Sequence, residues 1–178
     1  ALAVEATPPP RAALLPHIWL SDEEIRQGQR LLEQLPDKAG TPPIALHPYA
    51  THPDKAWKEA YWRQLMELFE SRGIPWIVIG RGSCMEGIPA SRNFTNRTSL
   101  RETCALLKSS SLLITGDSGP MHLAGAVGTP VLALFGPTTE EWGFFPAGPK
   151  DRVLESQLDC RPCTLHGKKH CDRNHACM

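Results

Sequence analysis

The chain has 178 residues, enough for one domain with a full core or one domain plus tails. Its hydrophobic content of 41% is that of an ordinary globular protein, and 19 Lys plus Arg balance 19 Asp plus Glu. That neutrality argues against a nucleic-acid or membrane-surface binder, and no apolar run is long enough to cross a bilayer.

The N-terminus lacks the charged-then-apolar pattern of a secretory leader, which points to a cytoplasmic protein with reduced thiols. The chain begins at Ala1, and Pro8, Pro9, Pro10 and Pro16 punctuate its opening. Residues 1–16 read as an extended linker or interdomain crossing, and the start as that of an excised fragment or a processed chain. Ser21 and Glu24 form a capping box. Ile25, Leu31, Leu32 and Leu35 then stripe a helix up to Pro36, which Gly28 weakens. Residues 1–40 are therefore read as linker and packing helix, 41–155 as the main domain and 156–178 as a cysteine-rich tail.

Residues 44–46 read as a first buried strand. It feeds HPYATHPDKAW, a polar turn on the C-terminal edge of the sheet, where open α/β sheets place ligands. A helix over 58–72 follows, with Tyr61, Leu65, Leu68 and Phe69 on one face and Glu59 and Arg63 paired on its surface. Residues 76–79 form a second strand, followed by the loop GRGSCMEG. Residues 93–95 read as a short third strand, and Ser99 with Glu102 opens another helix, to about residue 108. The stretch LLITGDSGPMHLAGAVGTPVLALFGPT, residues 112–138, reads as strand, turn, helix, strand and turn. Pro120 suits the first helical position and Gly128 the stop. This unit implies a parallel pair with a right-handed crossover. Residues 140–149, with Trp142, Phe144 and Phe145, read as an aromatic loop, and 152–154 as a last strand. The alternation predicts an α/β fold, a Rossmann-like three-layer α/β/α parallel sheet.

The turn at 115–119 carries the chemistry. A strand that runs through a glycine loop into a helix leaves free N–H groups at the positive end of the helix dipole, a setting that favours phosphate. Gly119 lets a ligand approach the backbone closely. The alternative is that Asp117 and Ser118 only cap the helix. Lys55, on the same edge of the sheet, is either a solvated lysine or the counter-charge for a diphosphate, with the Thr51 hydroxyl beside it.

The segment DSGPMHLAGAVGTPVLALFGPT resembles the signature of glycosyltransferase family 9, the ADP-heptose:lipopolysaccharide heptosyltransferases. The resemblance runs from about residue 43 to the end. It implies the C-terminal, donor-binding half of a GT-B fold, in which two Rossmann-like domains face each other across a cleft. The donor would be ADP-heptose and the acceptor the lipopolysaccharide inner core, reached through an N-terminal domain absent here. That domain would hold the aspartate base of an inverting transfer, so no catalytic residue is expected in this chain. Peripheral association of the whole protein with the inner membrane is compatible with this reading. Lys55 matches the lysine that contacts donor phosphates, and Asp117 a residue that accepts from sugar hydroxyls. Ser118, Gly119, Pro120 and Met121 would form the phosphate-facing helix start. His122 would donate to a phosphate or sugar oxygen, or else be buried against the sheet. Glu86 takes the place of the carboxylate on the ribose diol, Thr98 of an adenine neighbour that is usually apolar, and Thr138 would reach the donor. No cofactor is implied.

Cys160, Cys163, Cys171 and Cys177, interleaved with His166, His170 and His175, give C-x2-C-x7-C-x5-C. Four thiolates suit a structural zinc, although the second pair is too widely spaced for a standard ribbon; free thiols and disulfides are the alternatives. Cys84 and Cys104 read as loop and core residues. Two other functions compete: the nucleotide-sugar domain of a different GT-B enzyme, against which the long signature argues, and a zinc-stabilised interaction module.

Overall fold

The computed structural model describes residues 15–36, 40–164 and 171–178. Residues 1–14 of the expected linker over 1–16, the loop residues 37–39, and His166 and His170 lie outside them.

Five short strands form one sheet: β1 (Ile44–His47), β2 (Trp76–Val78), β3 (Leu112–Gly116), β4 (Val131–Phe135) and β5 (Arg152–Glu155). Every neighbouring pair is parallel and the order is β2-β1-β3-β4-β5. The central strands are almost wholly buried, as a sheet covered on both faces requires. Alternate residues serve opposite layers. Ala45, Leu113 and Ala133 pack with α3 (Leu100–Lys108) and α4 (Gly119–Val127), and Leu31 and Leu32 of α1 (Asp22–Leu32) lie against that cluster. Leu46, Val78 and Ile114 pack with α2 (Glu59–Ser71) on the other face. The three-layer α/β/α sheet is thus the one expected.

The chain leaves β1 towards β2 and leaves β3 towards β4, on opposite sides. The carboxyl ends of the adjacent strands β1 and β3 therefore diverge, the switch point at which doubly wound sheets bind ligands.

Both capping boxes form. In α1 the Ser21 N–H donates to Glu24 Oε2 at 2.8 Å and the Glu24 N–H to Ser21 Oγ at 3.3 Å. Ser99 and Glu102 repeat the arrangement at α3. Three local expectations are corrected. Gly28 is not a weak point of α1: a Cβ there would stand 2.8 Å from the backbone of Ala105, so its absence is what lets α1 close on α3. The buried face of α2 is Trp62, Met66 and Phe69, with Leu65 at its margin. Tyr61 and Leu68 are 38% and 40% exposed, because the helix is turned about one residue from the predicted stripe. Residues 93–95 give only an isolated bridge between Val78 and Asn93. The Phe94 N–H donates to the Val78 carbonyl at 2.8 Å, and Asn96 then turns the chain away at φ 58° before a ladder can extend.

Candidate functional site

At the switch point lies a cavity of about 420 Å³. The loop after β1 supplies His47, Tyr49, Ala50 and Thr51, and the loop after β2 supplies Gly80 and Arg81. Thr98, Leu100 and Thr103 wall the side towards α3, and Ser118, Gly119, Pro120 and Leu123 form the start of α4. Helix α4 opens at N-cap Ser118, whose side chain makes no capping hydrogen bond, and closes at Gly128 with φ 81°. The capping alternative for Asp117 and Ser118 is therefore set aside, and Gly119, whose N–H no side chain caps, stands on the cavity wall.

Ser118 is occupied elsewhere. Its hydroxyl lies 3.0 Å from Thr115 Oγ1 and 3.2 Å from His47 Nδ1, while His47 Nδ1 lies 3.1 Å from Thr115 Oγ1. These three side chains lock the turn between β3 and α4 to the end of β1. His47 is buried, and burial pushes its pKa down from the ordinary histidine value to about 4, so the ring is neutral at physiological pH. As pH falls below about 6.5 the unfolded chain takes up this proton before the folded one does. His47 should therefore contribute full stability above that pH and lose about 1.4 kcal/mol per unit down to about 4, roughly 3 kcal/mol in all. Chemical denaturation of wild type and His47→Gln at pH 7, 5.5 and 4.5 checks this. The variant should show a shallower decline, and parallel declines would refute the assignment.

Lys55 and Asp117 do not line the cavity; they meet behind it. Lys55 ends a 3-10 turn, Pro53–Lys55, whose carbonyl lies so near Gly116 that a Cβ there would be 3.3 Å away. Its Nζ donates to Asp117 Oδ2 at 2.5 Å, with the two side chains 13% and 10% exposed. Thr138, buried at the end of β4, donates from Oγ1 to the same oxygen at 3.0 Å. The ends of β1, β3 and β4 thus converge on one carboxylate.

Of the residues singled out in the sequence, Thr51, Thr98, Ser118, Gly119 and Pro120 share the cavity, and Lys55, Asp117 and Thr138 form the adjoining chain. Met121 is buried in the core beneath α4. His122 is exposed and lines a separate cavity of about 270 Å³ with Pro16, Gly125 and Phe145, on the far side of the helix. Glu86 is exposed outside the cavity lining, and its backbone carbonyl accepts from Arg63 Nη1 at 2.8 Å. His47, Tyr49 and Arg81 were not singled out. The glycines on either side of Arg81 were the one visible sign of a close-packed loop there.

The four tail cysteines are half-buried and unbonded to one another. Cys171 Sγ accepts from the His175 N–H at 3.3 Å, and Cys163 Sγ points to the Pro137 carbonyl at 3.9 Å. Among the described residues no three Cys, His, Asp or Glu side chains converge closely enough to hold a metal ion, so as placed the thiols do not fit a four-ligand zinc site. His175 Nε2 instead lies 2.8 Å from Asp54 Oδ1, beside Lys55.

Known proteins bear on this site. The model for "Glycosyltransferase family 9 (heptosyltransferase)" matches residues 5–172. Lipopolysaccharide heptosyltransferase 1 of Pseudomonas aeruginosa is 35% identical over 153 residues, 78% of this chain and 40% of that protein. The solved structure of the E. coli ADP-heptose lipopolysaccharide heptosyltransferase II superposes with a TM-score of 0.69 at 24% identity, covering 85% of this chain and 48% of that one. The dodecameric iron-containing heptosyltransferase TibC, solved in complex with ADP-D-β-D-heptose, superposes at 0.56 with 23% identity, covering 72% and 35%. The chain thus spans less than half the length of each of these three.

Proposed function

The chain belongs to glycosyltransferase family 9, and from that premise we propose that it is the donor-binding part of a heptosyltransferase. Its cavity takes the nucleoside diphosphate of an ADP-heptose donor, and the whole protein transfers heptose to the lipopolysaccharide inner core. The observation that carries this reading is the cavity at the switch point, walled by Ser118, Gly119 and Pro120 at the start of α4, where the helix dipole has its positive end.

In this proposal the phosphates sit at Gly119 and Pro120, with the Thr51 hydroxyl as a further donor. Lys55 lies one layer behind and strengthens the positive field through the start of α4. Asp117 either holds Lys55 throughout or exchanges it for a donor-sugar hydroxyl when ligand enters. Thr98 and Leu123 face the base, and Thr138 keeps Asp117 in place. Met121 and His122 serve the helix rather than the ligand, and the ribose contact expected of Glu86 passes to residues that line the cavity.

No carboxylate lines the cavity as a base for the acceptor hydroxyl. We assign that proton transfer, and with it inversion at the anomeric carbon, to the part of the protein outside this chain. The helix dipole and nearby cations stabilise the departing diphosphate, and no step is routed through a metal. In this proposal the whole protein works on the cytoplasmic side, with peripheral association at the inner membrane; among the described residues no helix is long and apolar enough to cross a membrane.

Calorimetric titration of the chain with ADP and with UDP tests the reading. ADP should bind measurably and UDP more weakly, and the amide signals of Ser118 and Gly119 should move. Equal binding of both nucleotides would reject an adenine-reading site, and no binding of either would reject the nucleotide site.

A further inference from the structure

A charged residue that lies outside the family signature borders the cavity. Lys55 spends its charge on Asp117 and does not line the cavity. Among the described residues Arg81 is the one formally charged side chain on the lining. Among the described residues its side chain makes no hydrogen bond or ion pair, and it is exposed to solvent.

Its placement is built. The Tyr49 ring fills the space under Gly80 and Gly82, where added Cβ atoms would come within 2.9 and 2.5 Å of ring carbons. Gly80 also has φ 121°, a conformation that side chains disfavour. The Tyr49 hydroxyl is fixed 2.7 Å from Thr95 Oγ1. Asn96 grips Gly82 twice: its Oδ1 accepts from the Gly82 N–H at 3.2 Å, and its Nδ2 donates to the Gly82 carbonyl at 2.8 Å. Arg81 is therefore held between two pinned glycines at the mouth of a cavity whose other wall is the start of α4. An exposed arginine with no partner among the described residues, bordering the same cavity as the start of α4, is suited to meet an anion bound there.

We propose that Arg81 closes over the phosphates of the bound nucleotide and supplies the counter-charge that the Lys55–Asp117 pair leaves open. The inference rests on the nucleotide reading but is separable from it by the choice of probes. Binding of ADP, pyrophosphate and adenosine is measured by calorimetry on wild type, Arg81→Ala and Arg81→Lys, at low and at moderate salt. Arg81→Ala should weaken ADP and pyrophosphate by about ten-fold, flatten their salt dependence and leave adenosine unchanged. Arg81→Lys should recover part of the loss. ADP affinity within two-fold of wild type in Arg81→Ala would overturn the proposal, as would an equal loss for adenosine, which would place Arg81 on the base or ribose. If wild type binds pyrophosphate through Arg81 but not ADP, the anion site stands and the nucleotide reading falls. If it binds neither, both fall. Because Arg81 is exposed, an unchanged melting temperature verifies that each variant is folded.

Discussion

Replacing Lys55 by alanine should cost this protein both stability and its ligand, and the two losses should separate when Asp117 is also changed. The Lys55–Asp117 pair is nearly buried, with a 2.5 Å contact. Removing the ammonium leaves a carboxylate whose remaining partner is the Thr138 hydroxyl. Breaking such a pair from one side costs on the order of 3–5 kcal/mol, most of it the penalty of the stranded charge. That uncompensated anion would also sit directly behind the helix start proposed to hold phosphate. ADP affinity should therefore fall by at least about thirty-fold, roughly 2 kcal/mol. In Lys55→Ala with Asp117→Asn the stranded charge is gone. Most of the stability should return, while ADP affinity recovers only in part because the lysine's field is still missing. Denaturant titration and calorimetry on the three variants check both halves. If the single variant binds ADP as wild type does, Lys55 has no part in the site. If the double variant is no more stable than the single, the pair is not the buried unit described here.

How much of this was legible beforehand depends on whether the deciding interactions were local. The capping boxes at Ser21–Glu24 and Ser99–Glu102 are closed within four residues, so their sequence pattern is their geometry. The strands at 44, 76, 112 and 131 follow from short apolar runs between turn residues, which only a sheet covered on both faces can bury, whereas the edge strand at 152 is largely exposed. The face of α2 was not legible in the same way. Tyr61, Leu65 and Leu68 make one helical stripe and Trp62, Met66 and Phe69 another, and both read as apolar. The choice between them is made by Trp76, Val78 and Leu46 across the layer. At the site, residues on the edges of β1, β3 and β4 could be named because parallel topology gathers carboxyl ends. What could not be read was which of them meet. That Lys55 faces Asp117 rather than the cavity depends on the close approach of its turn to Gly116. His47 read as the start of the polar turn after the first strand and became the pin of the α4 turn, because Thr115 and Ser118 are brought to it by the β1–β3 pairing.

The tail illustrates the same limit and carries the second large effect. Its cysteines drew attention, yet the side chain that ties it to the domain is Arg161, only 5% exposed. Its guanidinium donates to the carbonyls of Phe135, Gly136, Thr138 and Ser156 and pairs with Glu155 at 2.8 Å. Two of those carbonyls, Gly136 and Thr138, belong to the turn after β4 that presents Thr138 to Asp117, and Phe135 is the last residue of β4. The Cys163 N–H adds a bond to the Pro137 carbonyl at 3.1 Å, and Met178 packs against Gly136. Arg161→Met should therefore leave buried carbonyls without donors and Glu155 without its cation, a loss of about 3–5 kcal/mol. Arg161→Lys keeps the charge but not the planar fork, and should regain less than half of that. Through Thr138 the loosened turn should also weaken ADP binding, by a smaller factor than Lys55→Ala does. Thermal denaturation monitored by circular dichroism, paired with ADP titration at a temperature where each variant is folded, measures both. A melting temperature within two degrees of wild type for Arg161→Met would mean that this arginine does not hold the turn, and the tail would then have to reach the ligand site, if at all, through His175 and Asp54.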